Sequence, residues 1–319
     1  MTGTGPLRVG IIGLGRMGQN HLRVLSSLKS ADIGFIYDID RETAGRLASA
    51  AGVSAPESLE EGLSGVEAVV IASPTSTHEE YIRRSAEHVG NLFVEKPLTE
   101  GLESSIEIAR FAEDKGLNLQ VGFIERFNPA VEQMKKLLDR STQVVSVDFV
   151  RTNKLSSRIT DVDVVTDLMI HDIDLALFLN GPVRSISAHG VANDGMIDFA
   201  TALLTHDNGR LSRVQASRIT DKKIRSIQAT CKDMFVDCEL LRKEITLSRQ
   251  TEVEQRPGEP YKIIAVQEAI EVRPQEALMT ELQAFVATCR GERGADVPGI
   301  AEGVEAIRIC DQIQRAIRG

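Results

Sequence analysis

Up to about residue 123 the chain alternates short apolar runs with amphipathic stretches. The runs are "LRVGII", "DIGFIYD", "VEAVVIAS", "NLFVEKP" and "LNLQVGF". Between them lie "NHLRVLSSLKS", "RETAGRLASAAG", "HEEYIRRSAEHVG" and "LESSIEIARFAEDKG". Gly90 and Gly116 close two of these stretches, as helix stops. A run that is apolar at every position suits a strand covered on both faces, as in a parallel sheet. Strand and helix in alternation predict βαβ units and a doubly wound sheet.

Around residue 127 the pattern changes. "FNPAVEQMKKLLDR" reads as a helix with Pro129 in its first turn, where the missing N–H is tolerated. Longer strand-like segments follow: "QVVSVDFVRT", "VRSISAHGVA", "DFATALLTHD", "RLSRVQASRI", "IRSIQATCKDMFVDCEL" and "YKIIAVQEAIEV". Their partial alternation fits antiparallel strands with one packed face. "HDNGR", residues 206–210, is a hairpin turn signal. One helix, "TDLMIHDIDLALFL", interrupts the set, and "QEALMTELQAFVATCR" and "IAEGVEAIRICDQIQRAI" close the chain. The pattern divides the chain into residues 1–123, an α/β nucleotide domain, and 124–319, an α+β domain with an open, mostly antiparallel sheet. A length of 319 residues suits two domains.

Composition narrows the partners. The formal net charge is -9, with no dense Lys/Arg run, which argues against non-specific nucleic-acid binding but leaves room for a locally positive small-molecule site. No apolar run approaches the roughly 18–20 residues of a membrane span, and "MTGTGPLRVG" lacks the features of a signal peptide. Cys231, Cys238, Cys289 and Cys310 form no CxxC and no Cys/His cluster, so reduced thiols in a cytoplasmic protein are expected. No set of residues has metal-ligand spacing.

"VGIIGLGRMGQNH" holds Gly13, Gly15 and Gly18 in GxGxxG spacing. The motif follows an apolar strand and opens a helix, as a Rossmann fingerprint requires. The first glycine permits the tight turn, the second lets backbone approach a pyrophosphate, and the third lets helix and strand pack closely. The helix start offers free N–H groups to the phosphates. Asp38 ends the second strand, where a carboxylate hydrogen-bonds the adenosine ribose and repels a 2′-phosphate. NAD is therefore favoured over NADP, although Arg41 close by softens that preference and Asp38 has an alternative reading as a helix cap.

Two sites carry candidate chemistry. Lys96 ends the fourth strand in "FVEKPLT", and ligands of open α/β sheets bind outside the carboxyl ends of strands. Pro97 follows it, and X–Pro bonds can be cis. In "DLMIHDIDLALFL", Asp167 and His171 are four residues apart, one helical turn. A carboxylate beside an imidazole fixes its tautomer and raises its basicity, and His is the usual general base near neutral pH. The plainer alternatives are a solvated lysine and a polar stripe of Asp167, His171 and Asp174. His21 and His78 fall near the expected cofactor loops and are candidates for structural roles there.

Taken together, "GIIGLGRMGQNH", "SPTSTHEEY", "EKPLT", "VGFIERFNPA" and "DLMIHDIDLALFL", in that order, resemble the glucose-fructose oxidoreductase / inositol dehydrogenase (Gfo/Idh/MocA) family. The resemblance covers essentially the whole chain. It implies an NAD(P)-dependent dehydrogenase acting on a sugar or polyol, with Lys96, Asp167 and His171 at the chemistry. It implies cofactor contacts from Gly13, Gly15, Arg16, Met17, Gly18, Asp38, Ser73, Pro74, Thr75, His78, Glu95 and Lys96. Arg126, Asn128 and Arg158, with Lys154, are candidates to meet the substrate beside Lys96, Asp167 and His171, or are surface charges. Many members carry a glycine-rich stretch before the Asp, whereas this chain has "DVDVVT", which alters the substrate wall. "ERFNPAV" and "MIHDID" are more similar to members that oxidise C3 of UDP-N-acetylglucosamine. Other expectations left open are a ketoreductase or dehydrogenase of another nucleotide sugar or polyol, NAD-assisted glycoside cleavage, and a non-catalytic dinucleotide sensor. A one-sided sheet needs a cover, so a homodimer or homotetramer through it is expected.

Overall fold

A computed structural model of the chain describes residues 5–154, 162–254, 262–292 and 297–319. The chain forms two compact units, one of residues up to Ile124 with Glu276–Arg308, the other of Glu125–Gln275 with Ile309–Gly319.

The first unit alternates as its hydrophobic pattern requires: β1 (Leu7–Ile12), α1 (Arg16–Ser27), β2 (Ala31–Tyr37), α2 (Arg41–Ala51), α3 (Leu59–Leu63), β3 (Ala68–Ile71), α4 (His78–Ala86), β4 (Asn91–Glu95), α5 (Leu102–Lys115) and β5 (Asn118–Gly122). The strands pair in parallel in the order β2-β1-β3-β4-β5. All four residues of β3 are fully buried, the signature of a strand covered on both faces. Asp40 caps α2 by accepting from the Thr43 amide, and Gly52 ends it in the left-handed region. Gly116 does the same for α5, at φ +64°. Gly90 is not a cap, because α4 has already ended at Ala86 with Glu87 as its C-cap.

The pattern alone assigned both C-terminal helices to the second domain. Instead, α8 (Ala277–Cys289) buries Leu278, Leu282, Phe285 and Val286 in the cluster formed by Leu22, Leu25 and Phe93 of the first unit. Phe285 meets Phe93 edge-on, with ring centroids 5.6 Å apart. An apolar helix face joins whichever core completes its burial, and sequence distance does not enter that term. The division of the chain falls within α9 (Ile300–Arg318), between Arg308 and Ile309.

The second unit contains α6 (Pro129–Arg140), β6 (Val144–Lys154), α7 (Ile170–Asn180), β7 (Val183–Asn193), β8 (Met196–His206), β9 (Leu211–Ser217), β10 (Ile219–Cys231), β11 (Phe235–Glu239), β12 (Glu244–Glu254) and β13 (Lys262–Ile270). The strands form one sheet in the order β13-β12-β11-β10-β6-β9-β8-β7. Every neighbouring pair is antiparallel except β6 with β9. Along β8, Ala200, Ala202 and Leu204 are buried while Leu203 between them is 44 % exposed, so one face packs and the other does not. The 206–210 turn closes the hairpin of β8 and β9, with Gly209 at φ +82°. Among the described residues, no helix is long and apolar enough to cross a membrane.

Candidate active site

The glycine loop follows β1, next to the loop that follows β3, at the position where the strand order reverses. Open α/β sheets bind ligands at such a switch point. A Cβ on Gly13 would stand 2.4 Å from the Ser73 nitrogen, and one on Gly18 would stand 1.8 Å from the Gly13 carbonyl oxygen. Neither side chain fits, so both glycines hold the loop, its neighbour and α1 in contact. Gly15 differs: a Cβ there would meet nothing within 4 Å. It is the N-cap of α1 and supplies no side-chain cap, which leaves open space over the first-turn amides. Arg16 is exposed and Met17 half-buried beside it. These features fit a pyrophosphate group.

Asp38 stands half-buried at the end of β2. Its carboxylate accepts from the Leu14 amide at 2.6 Å and the Asp40 amide at 2.9 Å. Asp40, not Asp38, caps the next helix, so the capping alternative for Asp38 falls away. Arg41 donates to the carbonyls of Pro56 and Glu57 and lies 4.7 Å over the Tyr37 ring. Those bonds and the ring hold the guanidinium against the Pro56–Glu57 segment.

After β3, Ser73, Pro74 and Thr75 lead through a short 3₁₀ turn into α4. The Thr77 hydroxyl donates to Ser73 Oγ at 2.8 Å. His78 is buried, with Nε2 3.0 Å from the Ser73 carbonyl oxygen and Nδ1 2.9 Å from that of Pro97. Burial pushes its pKa down, against the pull of those carbonyls, and keeps the ring neutral. Glu95, expected at the cofactor, meets buried His21, whose Nε2 is 2.7 Å from Oε1. Lys96 follows, half-buried, and its bond to Pro97 is cis.

In the second unit, Val165–Met169 form a π-helical turn and α7 begins at Ile170. Asp167 lies in that widened turn and His171 in the first turn of α7, both half-buried. The periodicity predicted one regular helix here. π-turns are rare and concentrate at functional sites. The turn is held by Asp163, which belongs to none of the motifs that carry the chemistry. Its carboxylate accepts from the Val165 and Thr166 amides at 3.0 and 3.2 Å, and from Gln314 and Arg318 at 2.9 and 3.1 Å. Within "DVDVVT", whose first residue lies outside the described residues, Asp163 thus serves the turn.

Behind His171 the helix carries buried ion pairs. Arg151 makes a two-pronged contact with Asp172 at 2.7 and 2.8 Å and reaches Glu125 at 2.8 Å. Burial works to raise the Glu125 pKa, but Arg151 and a hydrogen bond from Asn128 carry it below the usual carboxylate range. Arg126 grips Asp174 through contacts of 2.6–3.1 Å and stacks 5.0 Å over Phe178. Arg126 and Asn128 were expected at the substrate. The structure instead buries both, Arg126 on Asp174 and Asn128 as the N-cap of α6. Lys154 is exposed and pairs with Asp221, and Arg158 lies outside the described residues. Arg225, also missed, donates to the Thr152 and Ile224 carbonyls, and burial together with Arg151 pushes its pKa down to about 10.

Residues 7–123 match the profile of the oxidoreductase family with an NAD-binding Rossmann fold, and residues 146–233 match that of the GFO/IDH/MocA C-terminal domain. The chain belongs to the Gfo/Idh/MocA family. It is 27% identical to the UDP-N-acetylglucosamine 3-dehydrogenase of Acidithiobacillus ferrooxidans over 98% of this chain and 97% of that protein. A solved structure of that enzyme superposes with a TM-score of 0.87 at 26% identity, over 98% and 97% of the two chains. The scyllo-inositol 2-dehydrogenase (NAD(+)) of Bacillus subtilis is 30% identical over 66% of this chain and 67% of that one. Like other Gfo/Idh/MocA proteins, this chain is an NAD-binding oxidoreductase whose relatives are sugar and polyol dehydrogenases.

Proposed function

We propose that the chain oxidises the C3 hydroxyl of UDP-N-acetylglucosamine to a 3-keto sugar. The observation that carries this reading is the end-to-end likeness to an enzyme named for that reaction, combined with Lys96 at the carboxyl end of β4 and Asp167 and His171 at the head of α7. NAD⁺ supplies the acceptor for the hydride leaving C3. His171 takes the proton from the hydroxyl. Asp167 orients the imidazole and favours its protonated form as the proton arrives. Lys96 hydrogen-bonds the same oxygen and stabilises the developing negative charge. Asp38 and the amides at Gly15 hold ribose and pyrophosphate. Proton transfer to a placed base contributes about 10²–10⁴-fold, roughly 3–5.5 kcal/mol.

The reading extends to assembly and location. Leu203 and Phe235, 44 % and 38 % exposed on the second sheet, support pairing of two chains through that face as a homodimer or homotetramer. Four free cysteines support a cytoplasmic location. The test is turnover with NAD⁺, comparing UDP-N-acetylglucosamine, dTDP-sugars and inositol by reduced-nicotinamide absorbance and by mass of the product. Oxidation of UDP-N-acetylglucosamine two hydrogens below substrate mass is expected. Turnover of inositol alone would overturn the substrate assignment, and a cleaved glycosidic bond would favour NAD-assisted hydrolysis.

A further inference from the structure

We propose that His21 and His78 are positioning residues for Lys96, gripping the chain immediately before and after it. The proposal rests on the role given to Lys96 above. His21 comes from α1, the helix opened by the glycine loop. His78 opens α4, behind the Ser73–Thr75 loop. The two imidazoles are 0 % and 1 % exposed, so neither is placed to touch substrate. His21 meets the carboxylate of Glu95, and His78 meets the carbonyl oxygen of Pro97. Lys96 is the residue between them.

The surroundings leave Glu95 little freedom. A Cβ on Gly122 would lie 3.1 Å from Glu95 Oε2 and 3.0 Å from the Phe93 ring, so the glycine makes room for that carboxylate. The Phe93 ring stands edge-on to His21 at 5.3 Å. A lysine serving only solubility needs no such frame. Burying an imidazole is costly unless its bonds are made; both ring nitrogens of His78 meet carbonyl oxygens, whereas His21 is held through Nε2 alone, its Nδ1 being buried without a partner among the described residues. Each histidine ties a cofactor loop to the lysine: α1 through Glu95, and the Ser73 loop through Pro97. A displacement of about 1 Å at a reacting group costs about 10²-fold in rate.

His78 allows the grip to be separated from simple packing. Carbonyl oxygens only accept, and a neutral imidazole carries one N–H. The ring therefore donates either to Pro97 from Nδ1 or to Ser73 from Nε2. An Asn amide nitrogen sits near the position of Nδ1, and a Gln amide nitrogen near that of Nε2.

The experiment uses the full chain with NAD⁺ and UDP-N-acetylglucosamine. His78→Leu and His21→Met are expected to lower kcat at saturating NAD⁺ ten- to hundredfold. His78→Asn and His21→Gln, which keep the donor facing Pro97 and Glu95, recover most of that loss. His78→Gln recovers the melting temperature but not kcat. If His78→Gln restores kcat as fully as His78→Asn, the proposal fails. A second readout needs no turnover: the pH at which Lys96 is half converted by reductive methylation, followed by mass spectrometry. It shifts in His78→Leu and His21→Met and returns in the Asn and Gln partners. If the wild type oxidises none of the sugars, the proposed function falls, and an unshifted labelling midpoint separately overturns the grip.

Discussion

Replacing Arg126 with Met tests whether this arginine serves the fold or the substrate. Its guanidinium is 6 % exposed, its partner Asp174 is 1 % exposed, and the contacts between them run from 2.6 to 3.1 Å. Methionine fills much of the same volume but leaves the Asp174 carboxylate buried without that cation. Breaking a buried pair from one side costs about 3–5 kcal/mol. Loss of the stacking on Phe178 adds about 0.5–2 kcal/mol. For a unit of this size each kcal/mol moves the melting temperature by about 2–4 °C, so a fall of about 7–28 °C is expected. The double variant Arg126→Met/Asp174→Leu recovers most of it, because apolar replacement of both partners is near neutral. The assay is a thermal melt followed by circular dichroism, with the urea midpoint as a second measure and KM for UDP-N-acetylglucosamine determined on the folded fraction. The reasoning is refuted if Arg126→Met melts within about 2 °C of wild type while KM rises more than tenfold. That result would return Arg126 to the substrate.

Four further outcomes follow from the geometry. His171→Ala is expected to lower kcat by about 10²–10⁴-fold with a small change in melting temperature, and near-wild-type turnover at saturating substrate would end its assignment as the base. Asp38→Ser should reduce the preference for NAD over NADP in kcat/KM by at least about tenfold, about 1.4 kcal/mol, mainly through weaker use of NAD, since Arg41 stays on the Pro56 and Glu57 carbonyls; an unchanged ratio would refute the ribose contact. Asp163→Ala strands the Val165 and Thr166 amides and should cost about 1–3 kcal/mol in urea unfolding together with a loss of kcat; loss of neither would show that the cap is idle. His78 and His206 are both held neutral by burial. The unfolded chain therefore takes up protons first as pH falls below about 6.5, and stability present at pH 7 is lost toward the lower folded-state values, at up to about 1.4 kcal/mol per pH unit for each histidine. Urea midpoints that do not change between pH 7.5 and 5.5 would contradict this.

The sequence by itself determined what depends on neighbours in the chain. Gly13, Gly15 and Gly18 were legible because a strand, a tight turn and a helix start occupy one short stretch, although the close approach that requires glycine at position 13 comes from Ser73 of a distant loop and position 15 faces open space. The five parallel strands and the hairpin at 206–210 were legible because apolar periodicity and turn residues act locally. Lys96, Asp167 and His171 stood out by motif spacing, while their joint action remains a matter for the proposed experiments. Only the tertiary structure decided which charges are consumed by burial. Arg126 looks like any candidate for a polar ligand until Asp174, 48 residues away, is found against it. The π-turn at Asp167 was hidden because its cap draws on Gln314 and Arg318, about 150 residues downstream. The return of α8 to the first core was hidden for the same reason: burial rewards contact in space, and an amphipathic helix carries no mark of the core that will complete it.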